Sequence, residues 1–164
     1  MANVKRIIGI DPGLVHTGWG VIDSEGNERR YVASGVILPK AKDALPRRLA
    51  FIFDELGKVV DLWTPTECAI EITFVNKNPA TTLLLGHARA AAILAAATKG
   101  IPIAEYEPNK IKKAIAAAGH ADKTQVDKMV RILLPAARPK SSDESDALAI
   151  ALAHANYSRI FIHD

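Results

Sequence analysis

The chain has a single cysteine, Cys68, in 164 residues. No intramolecular disulfide can staple it, and a thiol set in the apolar run Cys68-Ala-Ile70 reads as a small buried hydrophobe. Nor does a leader-like apolar stretch precede the first strand pattern in Met1-Ala-Asn-Val-Lys-Arg-Ile7. The longest Ala/Leu-rich stretch, Leu83 to Ala97, is broken by Gly86, His87 and Arg89 and is expected to be too short to cross a bilayer. These absences predict a cytoplasmic protein with no membrane partner. Repeats and low-complexity tracts are missing as well, so a 49% hydrophobic chain of this length is expected to form one domain over 1–164. Two of the histidines, His16 and His87, lack partners at metal-ligand spacing and read as structural. Strong net charge is also lacking: 21 Lys plus Arg against 18 Asp plus Glu gives +3, which suits a polyanionic partner without requiring one.

The most informative stretch present is Arg6-Ile-Ile-Gly-Ile-Asp-Pro-Gly13, where Asp11 closes an apolar run and a glycine-punctuated hairpin follows. Leaving even a neutral polar group unpaired beside such residues costs about 2–7 kcal/mol, so a carboxylate there implies a cation. Glu71 interrupts a second apolar run in the same way, and Asp143 and Asp146 open a late Ala/Leu-rich helix. Three residues apart, that last pair shares a helical face. Together the four acids make an oxygen-ligand set for a hard divalent cation. Taken singly, each has a plainer explanation: a turn at Asp11-Pro-Gly, a salt-bridged strand residue at Glu71, helix-dipole complementation at Asp143 and Asp146.

Hydrophobic period and turn residues order the rest. Arg6–Asp11, Gly18–Asp23 and Tyr31–Leu38 read as an antiparallel meander divided by Pro12-Gly13 and Ser24–Asn27. The apolar spacing then predicts a helix over Leu45–Trp63, a strand over Thr66–Thr73, and a helix opened by Asn78-Pro79 and closed by Gly100. A strand follows at Ile101–Tyr106. Three helices complete the order: one capped by Asn109 and ending near Gly119, one over Asp122–Leu134, and one from about Asp143. The expected fold class is α/β, a mixed five-stranded sheet with helices on both faces. Arg138–Ser142 reads as a mobile loop. Parallel neighbouring strands would bring Asp11 and Glu71 to one sheet edge. Lys112 and Lys123 fall on the helices that follow, where they could neutralise a scissile phosphate. Phe74, an apolar ring in the polar loop beyond Glu71, could stack on a base or close over the core. Such a site suits two-metal phosphodiester hydrolysis, with ions roughly 3.5–4 Å apart.

Several motifs in this order closely resemble the RuvC family of bacterial Holliday junction resolvases. They are Gly9-Ile-Asp-Pro-Gly13 with Thr17-Gly18 and Gly20; Ala69-Ile-Glu71 with Phe74 and Asn78; Leu85-Gly-His-Ala-Arg89; Glu105-Tyr106; Lys112; Gly119; Ala121-Asp-Lys123 with Gln125; and Asp143 with Asp146-Ala-Leu-Ala-Ile150. The resemblance implies an RNase H-like fold, a homodimer, and Mg²⁺-dependent symmetric nicking of four-way junction DNA, with Mn²⁺ as a substitute ion. It further implies that the branch-migration motor proteins of the same pathway are partners. By position, Asp11, Glu71, Asp143 and Asp146 would be the catalytic metal ligands, Lys112 and Lys123 phosphate contacts, and Phe74 the ring that stacks at the junction. The small-residue helix from Pro79 to Lys99 is the expected dimer surface, although its Ala and Gly face could equally pack on the sheet.

Two other classes share parts of this pattern. An actin-like or sugar-kinase-like ATPase also begins with an Asp-containing glycine hairpin, but it needs two such domains and a second phosphate hairpin, for which this chain has no room. A catalytically inactive junction-binding protein would not need all four acids.

Overall fold

The computed structural model describes residues 3–72, 78–116 and 122–158. The meander comprises β1 (Lys5–Asp11), β2 (Thr17–Glu25) and β3 (Glu28–Ile37). Then come α1 (Leu45–Trp63), β4 (Glu67–Glu71), α2 (Pro79–Ala97), β5 (Ile103–Tyr106), α3 (Pro108–Ala116), α4 (Lys123–Leu133) and α5 (Ser142–Tyr157). The sheet order is β3-β2-β1-β4-β5, antiparallel within the meander and parallel across β1-β4-β5. This is the mixed five-stranded sheet of the RNase H-like α/β fold.

Strand alternation sorts side chains between the two faces. Ile8, Ile10, Cys68 and Ile70 pack with Ile52, Leu56 and Val60 of α1 and the alanines of α2, while Ile7, Ile22 and Ala69 pack with α3, α4 and α5. Burial pushes the Cys68 thiol up to about 12, so it stays a neutral packing group. By the same alternation Gly9 and Asp11, Gly18 and Gly20, and Glu71 all project toward α5.

α5 is buried on every side: from Glu144 to Ala155 only Asp146 is partly exposed. It lies unusually close to the meander. A Cβ built on Gly9 would stand 2.1 Å from the Ala147 carbonyl oxygen, and one on Gly18 would stand 2.2 Å from that of Asp143. The far end of α5 is held by polar contacts instead. His154 Nε2 is 2.6 Å from Glu67 Oε2, the Tyr106 hydroxyl is 2.7 Å from His154 Nδ1, and Lys5 pairs with the other Glu67 oxygen at 3.0 Å. A neutral imidazole protonated on Nε2 satisfies both of its contacts.

Several sequence expectations change. α3 begins at Pro108, so Asn109 lies inside the helix rather than capping it, because proline is already suited to the first turn. β5 starts at Ile103, since Ile101 still closes the end of α2 by donating to the Ala96 carbonyl. The expected ends of β4 at Thr73 and of α3 near Gly119 lie outside the described residues. The Arg138–Ser142 segment is pinned, not loose. Lys140 N donates to Glu144 Oε2 (2.8 Å), Arg131 donates to the Pro139 carbonyl (3.1 Å), and Ala137 N donates to that of Leu134. His16 and His87 are exposed, so neither packs in the core. α2 extends upstream of Leu83 to 19 residues, long and apolar enough to cross a membrane by length and composition alone. Its Ala88, Ala91, Ala92, Ala95 and Ala96 nevertheless face the core, as in a helix of a folded domain.

Candidate active site

Register brings the first two acids together. β1 and β4 run parallel with Ile10 beside Ile70, so Asp11 and Glu71 are the next residues at the carboxyl ends of neighbouring strands. Ligands of open α/β sheets gather at that edge. The hairpin after Asp11 is closed by buried Thr17, whose hydroxyl donates to the Gly13 carbonyl (2.8 Å) and accepts from Gly13 N (3.1 Å). Arg48 reaches from α1 to donate to the Leu14 carbonyl at 2.6 Å. On the opposite flank Arg89 donates to the Glu71 carbonyl at 3.4 Å and pairs with Glu105.

α5 brings the other two acids. Ser141 caps it by accepting from Glu144 N, and its first turns lie across Gly18 and Gly9. Asp11, Glu71 and Asp146 line one pocket of about 290 Å³ with Lys112 of α3 and Lys123 of α4. Lys123 follows a complete capping box, in which Asp122 accepts from Gln125 N and Gln125 accepts from Asp122 N. Asp143 lines the adjoining groove toward β3, close enough to Asp11 and Asp146 to act on their charge. Phe74 lies outside the described residues.

The electrostatics are those of anions crowded together. Burial, then Asp146, Glu71 and Asp143, push Asp11 up to about 7, against a smaller opposing pull from Lys123. Glu71 is raised by burial and Asp146, with Lys112 and Lys123 opposing. Asp146 is also raised, chiefly by burial, with Lys123 as the main counterweight. Among the described residues no three acids, histidines or cysteines stand as a closed ligand set. The donor set nevertheless fits a hard divalent cation: the pocket offers carboxylate oxygens and no sulfur or imidazole, and its charge is compensated only in part.

A family model for crossover junction endodeoxyribonuclease RuvC matches residues 7–154. The chain belongs to the RuvC family. A RuvC from Nitrobacter hamburgensis is 55% identical over 152 residues, covering 93% of this chain and 89% of that protein. One from Rhodopseudomonas palustris strain TIE-1 is 54% identical, covering 93% and 87%. The solved structure of T. thermophilus RuvC in complex with Holliday junction substrate superposes with a TM-score of 0.90 at 33% identity, covering 96% of both chains. The yeast mitochondrial resolvase Ydc2 shares the fold, with a TM-score of 0.70 at 13% identity, covering 97% of this chain and 82% of that one.

Within this RuvC chain, sequence reasoning missed what supports the acids. Arg89 donates to the main-chain carbonyl of Glu71 and Arg48 to that of Leu14 in the hairpin after Asp11, contacts that leave no periodic trace. Glu144, 7% exposed, accepts from Ser34 Oγ at 3.0 Å as well as from Lys140 N. It sits between two candidate ligands, and its role shows only once β3 is known to lie against α5. Asp127 of α4 likewise ties α5 down, accepting from Ser145 Oγ (2.5 Å) and Arg131 Nε (2.9 Å).

Proposed function

We propose that this chain is a structure-selective endonuclease that resolves four-way (Holliday) DNA junctions by paired symmetric nicks, acting as a cytoplasmic homodimer beside the branch-migration motor proteins. The observation that carries the chemistry is the convergence of Asp11, Glu71 and Asp146 on one pocket faced by Lys112 and Lys123. Asp11, Glu71, Asp143 and Asp146 would hold two Mg²⁺ ions, with Mn²⁺ as a substitute. Bound there, divalent ions lower the pKa of an attacking water and neutralise charge developing on the phosphate. The protein's own residues do the remainder. Lys112 and Lys123 offset the charge of a phosphodiester approaching an anionic pocket, and α5 fixes the distance between its two acids and Asp11. Phe74, just beyond Glu71 in the chain, is the proposed stacking ring at the branch point.

Incubating the chain with end-labelled four-way junction and linear duplex tests this reading. Symmetric nicks in the junction alone, lost on chelation with EDTA and restored by Mg²⁺, are expected. Consumption of ATP in place of nicking would support the kinase-like alternative, and binding without nicking the inactive one.

A four-way junction has approximate two-fold symmetry, and a C₂ dimer supplies two related sites. The alanine face of α2 is taken up inside the chain, so the proposed dimer surface is its opposite face. There Leu83 and Leu94 are 69% and 53% exposed in line with His87 and Ala90. Replacing both leucines, Leu83→Glu with Leu94→Glu, should convert a sedimenting dimer to monomer at micromolar concentration and turn paired incisions into single nicks. An unchanged dimer would remove α2 from the interface.

A further inference from the structure

Lys5–Glu67, Arg6–Asp23, Arg30–Glu25 and Lys99–Asp61 are ion pairs at the end of the sheet away from Asp11. Beside the acids Arg89–Glu105 and Arg131–Asp127 are paired as well, but two further cations there stand outside any such pair. Lys140 has no carboxylate partner among the described residues, and Arg138 donates only to the main-chain carbonyls of Pro135 and Ala137. Both side chains are exposed, and both line a groove of about 670 Å³ between β3 and the segment that precedes α5. Asp143 lines the same groove, so it opens directly beside the acid cluster. On the other side of the segment, Lys140 shares a cleft of about 390 Å³ with Lys123, Arg131 and Asp146.

The segment is built rather than draped. Pro139 is buried, and Glu144 holds Lys140 N from below while itself held by Ser34, whose hydroxyl is 3.1 Å from that of Tyr31. Arg131 grips the Pro139 carbonyl from the far side. The main chain that carries these two unneutralised cations is thus held in advance, so a ligand seating on them does not have to order the segment itself. The groove's other wall sets apolar Val36 and Leu38, the latter 59% exposed, beside His16, Tyr31 and Ser34. An anion that repeats along a chain, with apolar sugar faces between charges, matches a wall of this kind that continues out of a phosphodiester-cleaving site.

We propose that this groove carries the DNA strand away from the acid cluster, with Arg138 and Lys140 each contacting a backbone phosphate. This rests on the nuclease reading and extends it to the strand's path. Removing one cation from a backbone phosphate lowers the slope of log K against log salt by about 0.9 on duplex DNA. The test compares the full-length parent with an Arg138→Ala, Lys140→Ala double variant and, as a control, Lys58→Ala. Lys58 lies on α1 in an exposed pair with Glu55. Anisotropy of a fluorescent four-way junction is followed in EDTA across a salt series, with cleavage at saturating protein measured separately in Mg²⁺. The double variant should lose about 10-fold in affinity, with a salt slope smaller by about 2, while its saturated cleavage rate stays within about 3-fold of the parent. Lys58→Ala should leave the slope unchanged. A parent-like slope in the double variant overturns the groove assignment. Failure of the parent itself to bind or nick the junction overturns the nuclease reading instead.

Discussion

Asp11→Asn will abolish junction cleavage and yet make the metal-free protein more stable at pH 8. Both halves follow from the same crowding. In the folded chain Asp11 is pushed from 3.8 to about 7, first by burial and then by Asp146, Glu71 and Asp143. A carboxyl group raised in this way favours the folded state below its unfolded pKa. That contribution is lost as pH rises through the folded value. Without a cation, stability should therefore decline between about pH 4 and pH 7, by a few kcal/mol at 1.36 kcal/mol per pKa unit. Asparagine does not ionise, so the variant's melting temperature in EDTA should change much less across that window. A divalent ion should in turn stabilise the parent more at pH 8 than at pH 5, because at the lower pH it competes with a proton. Cleavage should fall at least about 100-fold, the upper end of what losing a mere outer-shell partner of a metal costs. Junction binding in EDTA should persist, because Lys112 and Lys123 remain. A variant that nicks at the parent rate, or whose melting curve tracks the parent's at every pH, would refute the assignment of Asp11.

The acids could be read from sequence because each breaks a local rule. A charge at the end of Ile7-Ile-Gly-Ile10, or between Ile70 and Ile72, conflicts with its neighbours, and such conflicts gather at functional sites. The bounds of α1 could also be read, because apolar residues at Leu49, Ile52, Leu56 and Val60 follow a first-turn proline. What could not be read depends on contacts distant in sequence. His154 looks like any residue of an alanine-rich helix until Glu67 and Tyr106 arrive from β4 and β5. Arg138-Pro-Lys-Ser-Ser142 has loop composition and gives no sign of the buried Glu144 carboxylate that fixes it. The acidic first turn of α5 was legible as a pair sharing one face, but the division that leaves Asp146 with Asp11 and Asp143 at the neighbouring groove was not.

Gly18→Ala should cost more activity than stability, and Gly9→Ala should do the reverse. Gly18 reads from sequence as hairpin punctuation and Gly9 as part of an apolar strand, but the role of both is to let a helix backbone touch a sheet. At Gly18 the new methyl would meet the Asp143 carbonyl oxygen at 2.2 Å and its carbon at 2.6 Å. Main chain gives way only as a unit, so relief requires the start of α5 to lift, taking Asp143 with it and Asp146 one turn behind. A displacement near 1 Å at a site that depends on positioning costs on the order of 10²-fold in rate. That loss should appear in single-turnover cleavage at saturating protein. At Gly9 the methyl would meet the Ala147 oxygen at 2.1 Å and the Ala151 nitrogen at 2.7 Å, in the middle of the helix. No end is free to lift there, and overpacking of this kind costs about 1–3 kcal/mol or more, measurable by urea unfolding. Gly57 supplies the contrast, since it lies within α1 with nothing within 4 Å of its would-be Cβ. Gly57→Ala should be stabilising by about 0.5–1 kcal/mol through helix propensity and leave cleavage untouched. If Gly18→Ala proves as active as Gly57→Ala, then close approach of α5 is not what sets the distance between its acids and Asp11, and the four-acid site loses its structural cause.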